Sequence, residues 1–432
     1  MYVVLNILVF LLLTGYAVLL MFSKPSYVTL SKAQRVRLTG REKFLLLTLV
    51  TGMVSVGGAS LGINLSALRL MVWMMMMLGA FLLYRRSPHF NRLTLVYLLF
   101  LGWLLITLIW TPSLGYGIRV FLKYLYPLVA LLFAATFVHS REFIYVAMRQ
   151  MLLVSFVLSL LLGGLMTHIV GFWNFYLGDL FWSMSTLNDY LGVMSALSVV
   201  MWWRTKERRY LLLIGWFILS ATLQSVRTGV LSIGMVLMVA SYLHYGLKSL
   251  PLLVAGVSIG LSAILFVPQI KEKMFYDASK VESVVDIFVA QEEGNFNTSM
   301  RSYMWEHLLV LFYDEREWLG SGLGSVQHYM YENFVFGGLK VTHSDYIQML
   351  CDVGMVGLLL YLLFPVTLYF SVRRDYTVPP ITPYQTTIML SLLSYSAVLP
   401  AMGFDNIVNY AFATHAYPFT FIGIMLAYRK ST

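Results

Sequence analysis

One cysteine in 432 residues, Cys351, has nothing to pair with, so no intrachain disulfide can brace this chain and packing must hold it. Charge is almost as scarce. Asp, Glu, Lys and Arg together make up 12% of the residues, about half the share of a soluble domain. Aqueous enzymes and disordered scaffolds are excluded on that ground. No Walker sequence, dinucleotide fingerprint or HExxH motif occurs, so the sequence offers no grounds for nucleotide-driven or zinc chemistry. Internal repeats with a period of roughly 20–50 residues are missing too, as are matched interrupted helices in two halves, which argues against a transporter or flippase.

Apolar residues fill the space that charge leaves. They account for 59% of the chain, and the mean hydropathy is +0.76. A net charge of +10 in a soluble protein would suggest a nucleic-acid partner. Here the basic residues come in short clusters between apolar runs, as a membrane protein's cytoplasmic loops do, and no nucleic-acid partner is expected. Windows of about 19 residues predict spans near 2–22, 44–60, 66–84, 93–110, 118–138, 144–167, 189–203, 210–226, 228–245, 250–267, 355–371, 386–402 and 411–428. Residues 2–22 lack a basic start and an A-x-A cleavage site, so they read as an uncleaved first span. Nineteen of the thirty basic residues fall in alternate loops, from Lys24–Lys43 through Arg204–Arg209 to Arg429 and Lys430. That pattern predicts an outer N-terminus and a cytoplasmic C-terminus. The expected fold class is all-α: a polytopic transmembrane bundle of about 12–13 spans, divided as 1–267, an outer loop 268–354, and 355–432.

The loop 268–354 holds thirteen of the twenty acidic residues but only six basic ones. Val281, Val284, Val285 and Phe288 recur at helical spacing, and 300–312 follows the cap candidates Asn297, Thr298 and Ser299. Short helices forming a cap over the outer face are expected.

Ionisable residues at membrane depth are costly and mark candidate sites. Arg227, in Ser225-Val226-Arg227-Thr228-Gly229, either snorkels at a turn or serves a site. Arg301 shares a helical face with Trp305, Leu308 and Phe312, so it needs a buried partner, either an internal carboxylate or a ligand phosphate. His343 precedes Ser344, a good N-cap, and Asp345, which suits a first helical turn. It is either a plain residue before a cap or a base kept neutral by the helix N-terminus. Arg119 and Lys123, four apart on the fifth span, need a shared anion or separate carboxylates, for which Asp179, Asp189 and Asp405 are available. His168 and His415 are further histidines of interest, but no metal spacing occurs and no metal or other cofactor is expected.

In this order the residues resemble the O-antigen ligase/polymerase superfamily, bacterial inner-membrane glycosyltransferases with a GT-C-like helical fold. Ser-x-Arg-Thr-Gly at 225–229, Arg301-x-x-x-Trp305, the glycine turn at 320–324, His343 with Tyr346, and Gly354-x-x-Gly357 carry the resemblance, which covers roughly 225–371. It implies metal-independent transfer of an undecaprenyl-diphosphate-linked glycan to a sugar hydroxyl on the periplasmic face. The acceptor would be another lipid-linked repeat unit in a polymerase or lipid A-core in a ligase, with membrane lipid around the protein and a flippase and chain-length regulator as partners. Arg227 and Arg301 would bind the diphosphate and His343 would orient or deprotonate the acceptor hydroxyl. Arg119, Lys123, Trp305, Asp345 and Tyr346 would contribute to substrate binding. Many ligases have Asn directly after the histidine; Ser344 stands there instead, which brings the chain closer to the polymerases.

Overall fold

The computed structural model describes residues 2–31, 34–56, 65–84, 91–162, 181, 183–224, 226–292, 295, 297, 300–333 and 339–429. His168, Asp179 and Ser225 lie outside them. Helices occupy every predicted apolar stretch. They are α1 (Tyr2–Phe22), α2 (Gly40–Val50), α3 (Leu65–Leu83), α4 (Arg92–Thr107), α5 (Leu114–Phe137), α6 (Phe143–Leu162), α7 (Met184–Thr205), α8 (Arg208–Leu223), α9 (Arg227–Tyr245) and α10 (Leu250–Phe266). After the loop 268–344 the chain continues in the bundle as α15 (Asp345–Val372), α16 (Pro383–Phe404) and α17 (Ala416–Arg429).

Eight helical stretches among the described residues are long and apolar enough to cross a membrane. The other helices fall short of that length and composition for identifiable reasons. α2, α8 and α17 have only 11, 16 and 14 residues, and α7 carries Ser185, Thr186, Asn188 and Asp189 near its start. α9 and α10 continue through a 3-10 turn at Gly246–Ser249 as one stretch. The outward surface is itself apolar: Leu12, Leu19 and Leu82 are 70%, 71% and 81% exposed. Leucines facing outward at that density fit a lipid environment, and the molecule is a polytopic helical bundle.

One element departs from all-α. Ser26–Ser31 (β1) and Gln34–Leu38 (β2) form an antiparallel hairpin between α1 and α2. In β2, Val36 and Leu38 are buried whereas Arg35 and Arg37 are exposed, the period-2 alternation of a half-buried strand. The helical windows used for spans cannot register a pattern this short.

Helix contacts at the centre depend on small residues, as expected where lipid removes the hydrophobic drive between helices. α9 packs on α7 and α16, and α17 packs on α5. A Cβ on Gly229 would stand 2.5 Å from the Asn188 side chain, so the motif glycine is what lets α9 approach α7.

The long loop contains α11 (Pro268–Met274), α12 (Val284–Glu292), α13 (Arg301–Phe312) and α14 (Ser325–Asn333). Met304, Leu308, Val326 and Met330 close around Cys351 to join α13 and α14 to α15. The join exploits a break in α15, where Gly354 leaves helical geometry at φ 68°. Backbone groups freed there are taken up by the glycine turn: the Ser321 and Gly322 amides donate to the Cys351 and Asp352 carbonyls (2.8 and 2.9 Å), and the Met355 amide donates to Glu317 (2.8 Å). Asp352 then accepts from the Gly324 and Val326 amides at 3.0 and 2.9 Å, capping α14. The turn at 320–324 is therefore a docking joint between loop and bundle.

Candidate functional site

Arg227 and Arg301 are the first residues of α9 and α13. A helix start carries free N–H groups and a partial positive charge, the wrong end for a cation and a suitable one for an anion. Arg227 donates to the Asn297 carbonyl at 3.1 Å and Arg301 to the Phe404 carbonyl at 2.8 Å. With those bonds made, Arg301 lies within electrostatic reach of Arg227 as a like charge. Arg301 is half-buried, and burial pulls its guanidinium below its ordinary range, with the Asp405 carboxylate opposing that shift. Met300, just before it, takes a left-handed conformation at φ 63° and supplies no side-chain cap, which replaces the cap expected from 297–299.

His343 lies at a third helix start, ahead of α15, also left-handed at φ 51°. Ser344 is the N-cap as expected, accepting from the Ile347 amide at 3.3 Å. The imidazole Nδ1 is 3.5 Å from Asp405 Oδ1, and the ring is one quarter exposed. Asp405, at the end of α16, also accepts hydrogen bonds from Ser185 Oγ on α7 and from the Asn406 amide (2.8 Å). Burial alone would raise its carboxyl; the adjacent His343 ring and the hydrogen bonds from Ser185 and Asn406 outweigh that and hold it below the usual carboxylate range. An ionised Asp405 beside Nδ1 favours the tautomer with hydrogen there and leaves Nε2 as the basic nitrogen.

The residues around His343 fix this geometry. Trp305 Nε1 donates to the Thr342 carbonyl at 2.7 Å, tying the helix that carries Arg301 to the loop that carries His343. Asn406 reaches Thr342 Oγ1 (2.9 Å), Asp345 Oδ1 (3.1 Å) and Gln348 Oε1 (3.2 Å). Asp345 is buried and also accepts from the Val408 amide at 3.1 Å, which anchors a short 3-10 helix, Ile407–Tyr410. Tyr346 donates to the Leu399 carbonyl at 2.8 Å.

Arg227, Arg301 and His343 are thus brought together, with Trp305, Asp345 and Tyr346 behind them. Lys123 reaches the same 3-10 helix, donating to Asn409 Oδ1 at 2.5 Å, with Asp345 and Asp352 as its compensating carboxylates. Arg119 is exposed, its guanidinium 5.3 Å from the Tyr116 ring, and its neighbour Lys123 holds a separate partner, so no shared anion is needed between them. His415 is a core residue hydrogen-bonded to Tyr361 (3.2 Å). The participant that sequence reasoning placed elsewhere is Asp405, an expected partner for Arg119 or Lys123 that instead faces His343. Asn406 and Thr342 carry no signal in the sequence; only the closure of α16 onto the loop gives them a role.

Fold and site together define a polytopic helical membrane protein with two arginines and a histidine–aspartate pair gathered at one end of its bundle. Residues 212–362 match the family model described as O-Antigen ligase. The match covers about a third of the chain and supports a likeness to the O-antigen ligase/polymerase superfamily. It includes Arg227, Arg301 and His343 but stops short of Asp405. Comparison with curated proteins gives no match.

Proposed function

We propose that this protein is a polysaccharide polymerase of the bacterial inner membrane. It transfers an undecaprenyl-diphosphate-linked glycan to a sugar hydroxyl of another lipid-linked repeat unit on the periplasmic face, without nucleotide or metal. The observation that carries the reading is the pairing of Arg227 with Arg301 at two helix starts beside His343 and Asp405. In this reading His343 Nε2 takes the acceptor hydroxyl proton as the oxygen bonds to the anomeric carbon. The bond from that carbon to the phosphate oxygen breaks, and the electron pair leaves on the diphosphate. Arg227 and Arg301 stabilise the charge that accumulates there. Asp405 stabilises the imidazolium that forms, and Trp305, Asp345 and Tyr346 hold the loop. Arg119 and Lys123 would act farther out, on the glycan or a remote phosphate.

A ligase would use the same residues and differ in its acceptor, lipid A-core. Ser344 after the histidine favours the polymerase. Purified protein supplied with defined lipid-linked repeats, with and without lipid A-core, separates the two by product size. A ladder from repeats alone supports the polymerase. Product formed only with lipid A-core establishes the ligase, and no product in either arm removes both.

A further inference from the structure

A cavity of about 580 Å³ opens at the end of the bundle opposite the site just described, within the range of small-ligand pockets. α7 and α16 connect the two: Ser185 and Phe404 lie at the Arg301–Asp405 end, whereas Arg204 and Pro383 line the cavity. Each helix has 22 residues and so spans about 33 Å, a bilayer's hydrocarbon thickness.

Three arginines from three helices line this cavity, Arg149 on α6, Arg204 on α7 and Arg209 on α8, against one carboxylate, Glu142. Arg149 donates to the Leu30 carbonyl, and Arg204 to the Tyr145 hydroxyl and the Ile381 carbonyl. Arg204 also lies 3.8 Å from the centroid of the Tyr145 ring. Neutral oxygens orient these two guanidiniums without cancelling their charge, and neither forms a carboxylate ion pair among the described residues. Arg209 pairs with Glu207. Tyr210, on the cavity wall, is within electrostatic reach of both Arg209 and Arg149. α6, α8 and α16 all begin at the cavity, and their N-terminal ends add to its positive potential.

A topogenic bias toward basic loops is satisfied by arginines directed anywhere into water. It does not account for three lining one concavity, two of them held by neutral oxygens. Apolar side chains share the lining: Leu30, Met201, Ile381 and Pro383 border the cavity, and Ile381 is 76% exposed. We propose that this cavity binds the phosphodiester headgroup of an anionic phospholipid, in the leaflet opposite the one facing the Arg227–His343 site, with Arg149 and Arg204 as its phosphate ligands.

The test uses the full chain purified in mild detergent, with native mass spectrometry and thermal melting as readouts. Dioleoyl phosphatidylglycerol, dioleoyl phosphatidylcholine and inorganic phosphate serve as probes. The parent should retain one phosphatidylglycerol that phosphatidylcholine does not displace, and should melt higher in its presence. Arg149→Gln and Arg204→Gln should each weaken retention about tenfold, while the charge-matched Arg373→Gln/Arg374→Gln leaves it unchanged. Should Arg204→Gln fail to fold after losing Tyr145, Arg149→Gln and the lipid competition on the parent still decide. Equal retention of phosphatidylcholine, or full retention by Arg149→Gln/Arg204→Gln, overturns the proposal. Equal stabilisation by inorganic phosphate at millimolar concentration overturns the lipid assignment in favour of a free-anion site.

Discussion

Asp405→Asn is the sharpest perturbation of the proposed machinery, because it removes a charge while nearly preserving a shape. The carboxylate lies 3.5 Å from His343 Nδ1. When the ring gains a proton during transfer, attraction at that distance amounts to about 4.7 kcal/mol at an effective dielectric of about 20, and about 1.2 kcal/mol in water. Those bounds convert to a rate loss between about eightfold and about 3,000-fold. The ring is mostly buried, so the upper part of that range is expected. The assay is initial-rate glycan transfer in proteoliposomes carrying the lipid-linked donor. kcat should fall by about two to three orders of magnitude, with KM for the donor within about threefold, because the arginines are untouched. Ser185→Ala is the control: it removes a hydrogen bond to the other carboxylate oxygen, so it should lower melting temperature with little effect on rate. His343→Gln and Asp405→Asn act on one unit, so their combination should cost little more than His343→Gln alone. If Asp405→Asn turned over within about threefold of the parent, or if the two losses simply multiplied, Asp405 would not be acting through His343.

Arg227→Ala and Arg301→Ala should each abolish detectable transfer with melting temperature nearly unchanged, and lysine at either position should restore little, since a point charge does not reproduce a bidentate clamp; full activity in Arg301→Lys would favour a structural cation. Asp405, held below the usual carboxylate range, contributes stability that is complete above its unfolded pKa of about 3.9 and lost as pH falls through the lower folded value. Melting temperature should therefore drop below about pH 4, and less steeply in Asp405→Asn. Gly354→Ala would place a Cβ 2.3 Å from the Trp318 carbonyl oxygen at φ 68°, so a stability loss of about 2–4 kcal/mol is expected in detergent melts. A cysteine at Ala290 in a Cys351→Ser background should react with an impermeant maleimide in intact inner-membrane-exposed cells; labelling only after the membrane is opened would reverse the proposed topology.

Helix positions were legible in the sequence because apolar runs are long and interrupted by clustered charge, a signal that survives errors of a few residues. Span length was not. The last span reads as 18 residues from 411, yet Ala411–His415 is taken up in turns and the helix begins at Ala416. Arg301 was legible for a different reason: it interrupts the apolar face of a short helix, and that conflict between charge and pattern is visible without coordinates. Its partner was not, because the Phe404 carbonyl lies 103 residues away and a backbone oxygen leaves no mark in composition. Asp405 illustrates the same limit. It stands out as an acid near the end of a span, but on sequence grounds it is available to Arg119 and Lys123 alike, and nothing in the sequence sets it against His343. The choice among them is made by the way α16 meets α7 and the loop.

The features that make this end of the bundle unfavourable as structure are the ones that suit it to an anion. Arg227, Arg301 and His343 each sit at a helix start, where a positive charge opposes the macrodipole instead of complementing it. His343 and the residue before Arg301 both hold left-handed backbone without being glycine, at a cost on the order of 1–3 kcal/mol each. Neither strain is relieved by a local capping bond: Met300 offers no cap, and Ser344 serves the helix that follows His343. What maintains both is a set of long-range contacts, Trp305 to the Thr342 carbonyl, Asn406 to Thr342 and Asp345, and Arg301 to the Phe404 carbonyl. Each joins the outer loop to the bundle or to itself across the site. Arg301 bears on Arg227 as a like charge, and an anion bearing two negative charges between them would turn that repulsion into attraction. Bound diphosphate should therefore stabilise the loop as well as the site. Protease protection of 268–354 by added undecaprenyl diphosphate, lost in Arg227→Ala/Arg301→Ala, is the expected result; equal cleavage with and without the lipid would show that the loop is held by its protein contacts alone.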